Sequence, residues 1–128
     1  MRDARILVVD DHATNAKLLA YVVRAHGYAV ETAFDAEGAL SSIDTWHPHL
    51  ILMDVQLPGI DGLELTRRVK SNPATRDIVV IAVTAFAMKG DQAKVLAAGC
   101  DDYISKPIDT RSLPETIARH LSRWEPGS

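Results

Sequence analysis

Continuous apolar runs at Ile6–Val9, Leu50–Met53 and Ile78–Val83 alternate along the chain with stretches of helical period. Short water-shy runs bounded by polar residues mark strands buried on both faces. Tyr28–Ala33 alternates instead, with Glu31 among small and apolar neighbours. Tyr103-Ile104 is short and follows Asp101-Asp102. Both suit a sheet edge, where polar residues blunt unwanted pairing. Three central and two peripheral strands are therefore predicted.

Helical patterns fill the gaps. Leu18, Leu19, Val22 and Val23 repeat at four-residue spacing, and Gly27 can end that helix. Asp35 can cap a second helix carrying Ala36, Leu40 and Ile43. Pro58-Gly59 makes a turn before Asp61, which can cap a third through Leu65 and Val69. A fourth runs from about Lys89 to Ala98, with Gly99 as its stop. Leu113, Ile117 and Leu121 mark a fifth, with Ser112 and Glu115 in capping-box spacing and Pro114 tolerable in the first turn. Five βα units with right-handed crossovers make a parallel sheet. The order 2-1-3-4-5 puts the first, third and fourth strands inside, as the burial pattern requires. The expected fold is α/β: a doubly wound, flavodoxin-like (βα)5 sheet with five flanking helices. It forms one domain over residues 1–128, with a core of about 5–121 and a short tail at 122–128.

Composition narrows the function. Hydrophobic residues at 47% and charged residues at 24% describe a globular chain with a real core. A formal net charge of -3 argues against general nucleic-acid binding, which needs a basic patch. No apolar run approaches the roughly 18 residues of a membrane span. The N-terminus leads straight into a strand, so no signal peptide is expected. The single cysteine, Cys100, has no internal disulfide partner and suits a reducing cytoplasm.

The chemistry lies at the strand ends. Asp10 and Asp11 close the first run, Asp54 the third, Thr84 follows the fourth and Lys106 the fifth. The carboxyl ends of strands in an open parallel sheet border its ligand crevice. In the predicted order the first and third strands are neighbours, so Asp10, Asp11 and Asp54 converge. Two carboxylates at ~4 Å repel by roughly 4 kcal/mol at an effective dielectric of ~20. Either one takes a proton or a hard cation such as Mg²⁺ neutralises them. Lys106 and Thr84 would then hold phosphate oxygens, and phosphoryl transfer needs little more than such positioning.

The ordered set Val8-Val9-Asp10-Asp11, Met53 to Gly62 (MDVQLPGIDG), Val83-Thr84-Ala85 and Lys106-Pro107 resembles the response-regulator receiver domain of the CheY-like superfamily. The resemblance spans about Arg5 to Leu121. Ala82–Asp91 and Gly99–Ile108 are also similar to DivK-type single-domain regulators and to receiver modules of hybrid histidine kinases. It implies a two-component receiver in the cytoplasm of a bacterium, a switch rather than an enzyme. Asp54 would accept a phosphoryl group from a histidine kinase or phosphotransfer protein. Asp11, Asp54 and the Gln56 backbone carbonyl would bind Mg²⁺ (or Mn²⁺) directly, with Asp10 acting through water. Lys106 would contact the phosphoryl group, the Lys106–Pro107 bond would be cis, and Thr84 with Ala85 would close on the phosphate. Tyr103 would turn inward, altering a partner surface on the fourth helix, fifth strand and fifth helix. The first helix near Asn15 would dock the kinase, and the molecule would be a monomer or a phosphorylation-dependent dimer. Gln56 and Phe86, two residues after Asp54 and Thr84, would tune the phosphoryl lifetime by hindering water. No direct nucleic-acid or membrane partner is expected.

Other residues read more plainly. The five histidines show no metal-ligand spacing; His12 reads as a solvated loop residue near the site, and His47-Pro48-His49 as a lead-in to the third strand. Cys100 reads as a small buried residue. A flavodoxin-like electron carrier would need a hydroxyl- and glycine-rich phosphate loop where Asp10-Asp11-His12 stands. A phosphatase would want a second acid at Gln56. A receiver belonging to a longer kinase or regulator is the alternative within the same class.

Overall fold

The computed structural model describes residues 4–55, 62–84 and 89–124. Five strands, β1 (Arg5–Val9), β2 (Ala29–Ala33), β3 (Leu50–Asp54), β4 (Val79–Thr84) and β5 (Asp102–Ser105), alternate with five helices. These are α1 (Ala13–Ala25), α2 (Ala36–Trp46), α3 (Gly62–Ser71), α4 (Lys89–Ala97) and α5 (Leu113–Leu121). The strands form one parallel sheet in the order β2-β1-β3-β4-β5, the expected doubly wound topology.

Side chains alternate across each strand, so continuous apolar runs must feed two cores. Leu7, Val9, Ile51, Met53, Val80 and Ala82 face α2, α3 and α4. Ile6, Val8, Leu50, Leu52, Val79, Ile81 and Val83 face α1 and α5. The central strands β1, β3 and β4 are buried almost throughout, whereas β2 and β5 are only partly covered. Among the described residues, no helix is long and apolar enough to cross a membrane.

Glycine stops two helices as expected. Gly27 and Gly99 take φ of +90° and +109°, a backbone that a Cβ disfavours. Asp35 caps α2 by accepting from the Gly38 N–H at 2.7 Å.

One face was left open by the sequence, and one expectation fails locally. The buried stripe of α1 is Ala16, Leu19, Ala20 and Val23, while Leu18 is 55% exposed. Small alanines let the helix lie close on the sheet, so the inward face is rotated from the one traced by its larger residues. The Ser112–Glu115 capping box does not form: Ser112 is already helical and makes no side-chain cap. Asp109 turns the chain instead, its carboxylate accepting from the Arg111 N–H at 2.9 Å. Leu113, Ile117 and Leu121 are fully buried, each contributing about 1.5–3 kcal/mol of transfer free energy. That exceeds the ~1 kcal/mol of a cap, so packing fixes the register of α5.

The tail also has structure. Ser122–Trp124 continues as a 3-10 turn and sets Trp124 edge-on against His49, with ring centroids 5.2 Å apart. The His49 ring nitrogen Nδ1 accepts from the Arg5 N–H at 3.0 Å. Burial, and secondarily the Arg5 cation, hold this imidazole below its ordinary range.

The Asp61 cap and the Pro58-Gly59 turn, like Gln56, Ala85 and Phe86, lie outside the described residues.

Candidate functional site

Parallel register brings the acids together. Val9 pairs with Met53, so the next residues, Asp10 and Asp54, leave adjacent strands side by side at the carboxyl edge. Both are buried, at 2% and 4% exposure, whereas Asp11 and His12 face solvent. One ligand atom from each of Asp10, Asp11, His12 and Asp54 lies within 4.8 Å of the others. The backbone fixes Asp10 on both sides: its N–H donates to Ala33 O at 3.0 Å, and its Oδ1 accepts from the His12 N–H at 2.8 Å.

The fourth and fifth strands supply the opposite charge. Thr84 pairs with Ser105, and the Lys106 N–H donates to Thr84 O at 2.8 Å. The Lys106 ammonium then reaches Asp54 Oδ2 at 3.1 Å. The Lys106–Pro107 peptide is cis. Thr84, 6% exposed, ends β4 one step beyond the Asp54–Val83 pair. A cleft of about 220 Å³ runs from the site between α1 and the segment after β5, lined by Asp10, Asn15, Leu18, Lys106 and Pro107 among others.

Gly62 supports the site from below. A Cβ there would stand 2.6 Å from the Asp54 carbonyl oxygen and 2.9 Å from Val55 Cα, so only glycine lets α3 begin against this strand end. Its N–H donates to Val55 O at 2.9 Å. Its carbonyl accepts from the buried Thr66 hydroxyl at 2.8 Å, which lies 3.5 Å from Cys100 Sγ. Burial pushes the Cys100 thiol up, partly offset by that hydroxyl.

Comparison with known proteins agrees with the topology. The sequence profile of the response regulator receiver domain matches residues 6–118. This chain belongs to the response regulator receiver family. It is 44% identical to the polar-differentiation response regulator DivK of Brucella ovis over 116 residues, covering 91% of this chain and 94% of that one. Among solved structures, the receiver resembles the CheY-like receiver domain protein of Methanospirillum hungatei, with TM-score 0.89, 32% identity and coverage of 98% and 99%. It also resembles the receiver domain of a signal transduction histidine kinase from Syntrophus aciditrophicus, with TM-score 0.89, 32% identity and coverage of 98% and 95%. Such domains act in two-component signalling, as switches rather than catalysts. They bind Mg²⁺ in an acidic pocket.

The residues of this receiver fit such an ion. Three carboxylates facing one ammonium leave a formal charge of about -2, which one divalent cation offsets. Carboxylate oxygens are the donors hard cations prefer. The structure thus gathers Asp10, Asp11, Asp54 and Lys106 at one edge, with Thr84 beside them on β4. Tyr103 stands apart, half-buried on the α4 side of the sheet.

One contributor to the site, Gly62, was not singled out from the sequence. Gly62 owes its role to a backbone approach, which spacing does not reveal. His12, read as a solvated residue near the site, is 67% exposed there and brings its Nδ1 to within 3.0 Å of Asp11 Oδ1.

Proposed function

We propose that Asp54 is the phosphoacceptor of this receiver, taking a phosphoryl group from a phosphohistidine on a kinase or phosphotransfer protein. The carrying observation is the single buried carboxylate at the end of β3, held 3.1 Å from Lys106 and gathered with Asp10 and Asp11. An Asp54 oxygen attacks phosphorus, the P–N bond to the donor imidazole breaks, and that imidazole keeps the electron pair and takes up a proton. Water later attacks the aspartyl phosphate, releasing inorganic phosphate and restoring the carboxylate.

Asp11, Asp54 and the Gln56 carbonyl would hold Mg²⁺ or Mn²⁺, with Asp10 acting through water. The bound cation offsets charge on the phosphoryl oxygens. Lys106 leaves its Asp54 oxygen for a phosphoryl oxygen, and Thr84 with the Ala85 N–H approaches from β4. Tyr103 then moves inward, reshaping the α4–β5–α5 face that a downstream protein reads. Gln56 and Phe86 slow the hydrolytic water. This is a two-state element biased by contacts made in only one state. The phosphodonor docks along α1, where Leu18 and Tyr21 are exposed, at 55% and 74%, beside the cleft at Asn15. The unit works in the bacterial cytoplasm as a single domain, a monomer or a phosphorylation-dependent dimer.

Intact mass after incubation with acetyl phosphate tests the reading, with and without Mg²⁺, in wild type and Asp54→Asn. One added phosphoryl group that requires both Mg²⁺ and Asp54 is expected. Addition to Asp54→Asn at the wild-type rate would overturn the assignment.

A further inference from the structure

Asp54 ends β3 at the carboxyl edge of the sheet, and a titratable group of another kind, His49, stands just before the same strand begins. Five steps of about 3.3 Å separate the two by roughly 16 Å. The His49 ring has a fixed role there. A backbone N–H can only donate, so the 3.0 Å bond from the Arg5 N–H makes Nδ1 an acceptor. The ring is therefore neutral, with its proton on Nε2. Its main chain is pinned as well: the His49 N–H donates to Arg5 O at 2.8 Å, and its carbonyl accepts from the Val79 N–H at 3.1 Å. The backbone thus holds the imidazole in place between β1 and β4.

Trp124 closes over this ring. The chain leaves α5 through Ser122–Trp124 and sets the indole 5.2 Å from the imidazole, at an interplanar angle of 82°. The indole also packs on the core that holds Ile117 and Leu121, so the contact ties the last turn of α5 to the entry of β3. Among the described residues, Trp124 Nε1 is buried without a hydrogen-bond partner. A buried donor left unpaired opposes docking, so packing alone holds the indole and its release is easy. Among the described residues, Arg5 on β1 is the charge that acts on the imidazole, and its Nε is engaged with His47 O at 3.0 Å. Lys70, Arg76, Asp77 and Asp101 line a cavity together with Trp124, where Lys70 and Asp101 pair at 2.8 Å.

We infer that His49 and Trp124 form a pH-sensitive latch, closed over the neutral imidazole and opened when the ring takes a proton, which frees the last turn of α5 from the amino edge of the sheet. A proton on Nδ1 removes the acceptor of the Arg5 N–H and sets a second cation beside the guanidinium. Burial, to which Trp124 contributes, and then the Arg5 charge hold the imidazole below its ordinary range. Linkage makes the effect reciprocal: an indole that disfavours the charged ring when docked is undocked by charging that ring. The latch is therefore closed above the unfolded value of ~6.5 and opens as pH falls through the lower folded value. Attraction of an imidazolium to an indole face acts oppositely, but the added proton enters at Nδ1, where it meets the Arg5 N–H and guanidinium. This input reaches α5 from the opposite end of the sheet to Asp54.

Fluorine NMR of the protein carrying 5-fluorotryptophan reads the latch. The chain has two tryptophans, and Trp46→Phe assigns the signal of Trp124. Between about pH 7.5 and about pH 5, that signal is expected to move toward its solvent-exposed position, the open-to-closed ratio rising by up to about tenfold per pH unit for one linked proton. In His49→Asn, whose amide oxygen can still accept from Arg5, the Trp124 signal is expected to stay constant over the same range. Far-ultraviolet circular dichroism at each pH is expected to keep its helical signal, so that the release is local. A Trp124 signal indifferent to pH, a shift toward deeper burial in acid, or the same shift in His49→Asn would overturn the latch. So would a shift that tracks loss of the helical signal, because the indole would then leave only with the whole fold.

Discussion

Replacing Gly62 with alanine tests whether the phosphoacceptor is positioned by a backbone contact. The new methyl would lie 2.6 Å from the Asp54 carbonyl oxygen and 2.9 Å from Val55 Cα, both main-chain atoms that cannot rotate aside. Reaching 3.0 Å requires a displacement of about 0.4 Å, and an ordinary 3.4 Å contact about 0.8 Å. Overpacking of this kind costs about 1–3 kcal/mol, and alanine returns about 0.4–1 kcal/mol by restricting the unfolded chain. The net loss is about 0–2.5 kcal/mol, or a Tm lower by up to roughly 10 °C for a chain of this size. The chemical effect should be larger, because the strand end that must move carries Asp54. A misplacement approaching 1 Å can cost on the order of 10²-fold in rate. Gly62→Ala is therefore expected to slow phosphoryl uptake from acetyl phosphate by about 10–100-fold while remaining folded. Intact-mass time courses give the rate, and thermal unfolding by circular dichroism gives Tm. Wild-type values for both would refute the claim that this glycine is demanded by the approach to Asp54.

Two further outcomes follow from named contacts. Lys106→Met removes the ammonium 3.1 Å from Asp54 Oδ2 and is expected to slow uptake on the order of 10²-fold at saturating Mg²⁺; an unchanged mass-spectrometric time course would exclude Lys106 from the chemistry. His49 is held below its ordinary pKa by burial first and Arg5 second, so the folded state resists its protonation. Its contribution to stability is present above the unfolded value of ~6.5 and is lost as pH falls below it. The drop in Tm between pH 7.5 and 5.5 should be smaller in His49→Asn, whose amide oxygen can still accept from Arg5; an identical drop would contradict this.

The candidate site was legible because it follows strand order. Once the runs ending at Asp10, Asp54 and Thr84 are read as adjacent parallel strands, the convergence of their next residues is a consequence of register. Lys106 follows by the same logic from the short edge strand. Where the reading failed, the signal was ambiguous for a physical reason. The period of α1 did not say which face is buried: Leu18 fits it as well as Ala16 and Ala20 do yet is exposed, because size alone does not tell which side the sheet will press against. The Ser112–Glu115 spacing is a valid capping box that burial of Leu113, Ile117 and Leu121 overrides.

Sequence by itself determined the five βα units, the central and edge strands, and the acids, hydroxyl and lysine at the strand ends. Those features depend on local periodicity and on the alternation of side chains, which the chain carries residue by residue. Tertiary structure alone decided that Gly62 must lack a Cβ beside Asp54, that His12 faces Asp11 rather than its helix, and that Trp124 returns to His49. Each of these is a contact between backbones or rings brought together by folding, and a distance of 3 Å between segments has no local period to announce it.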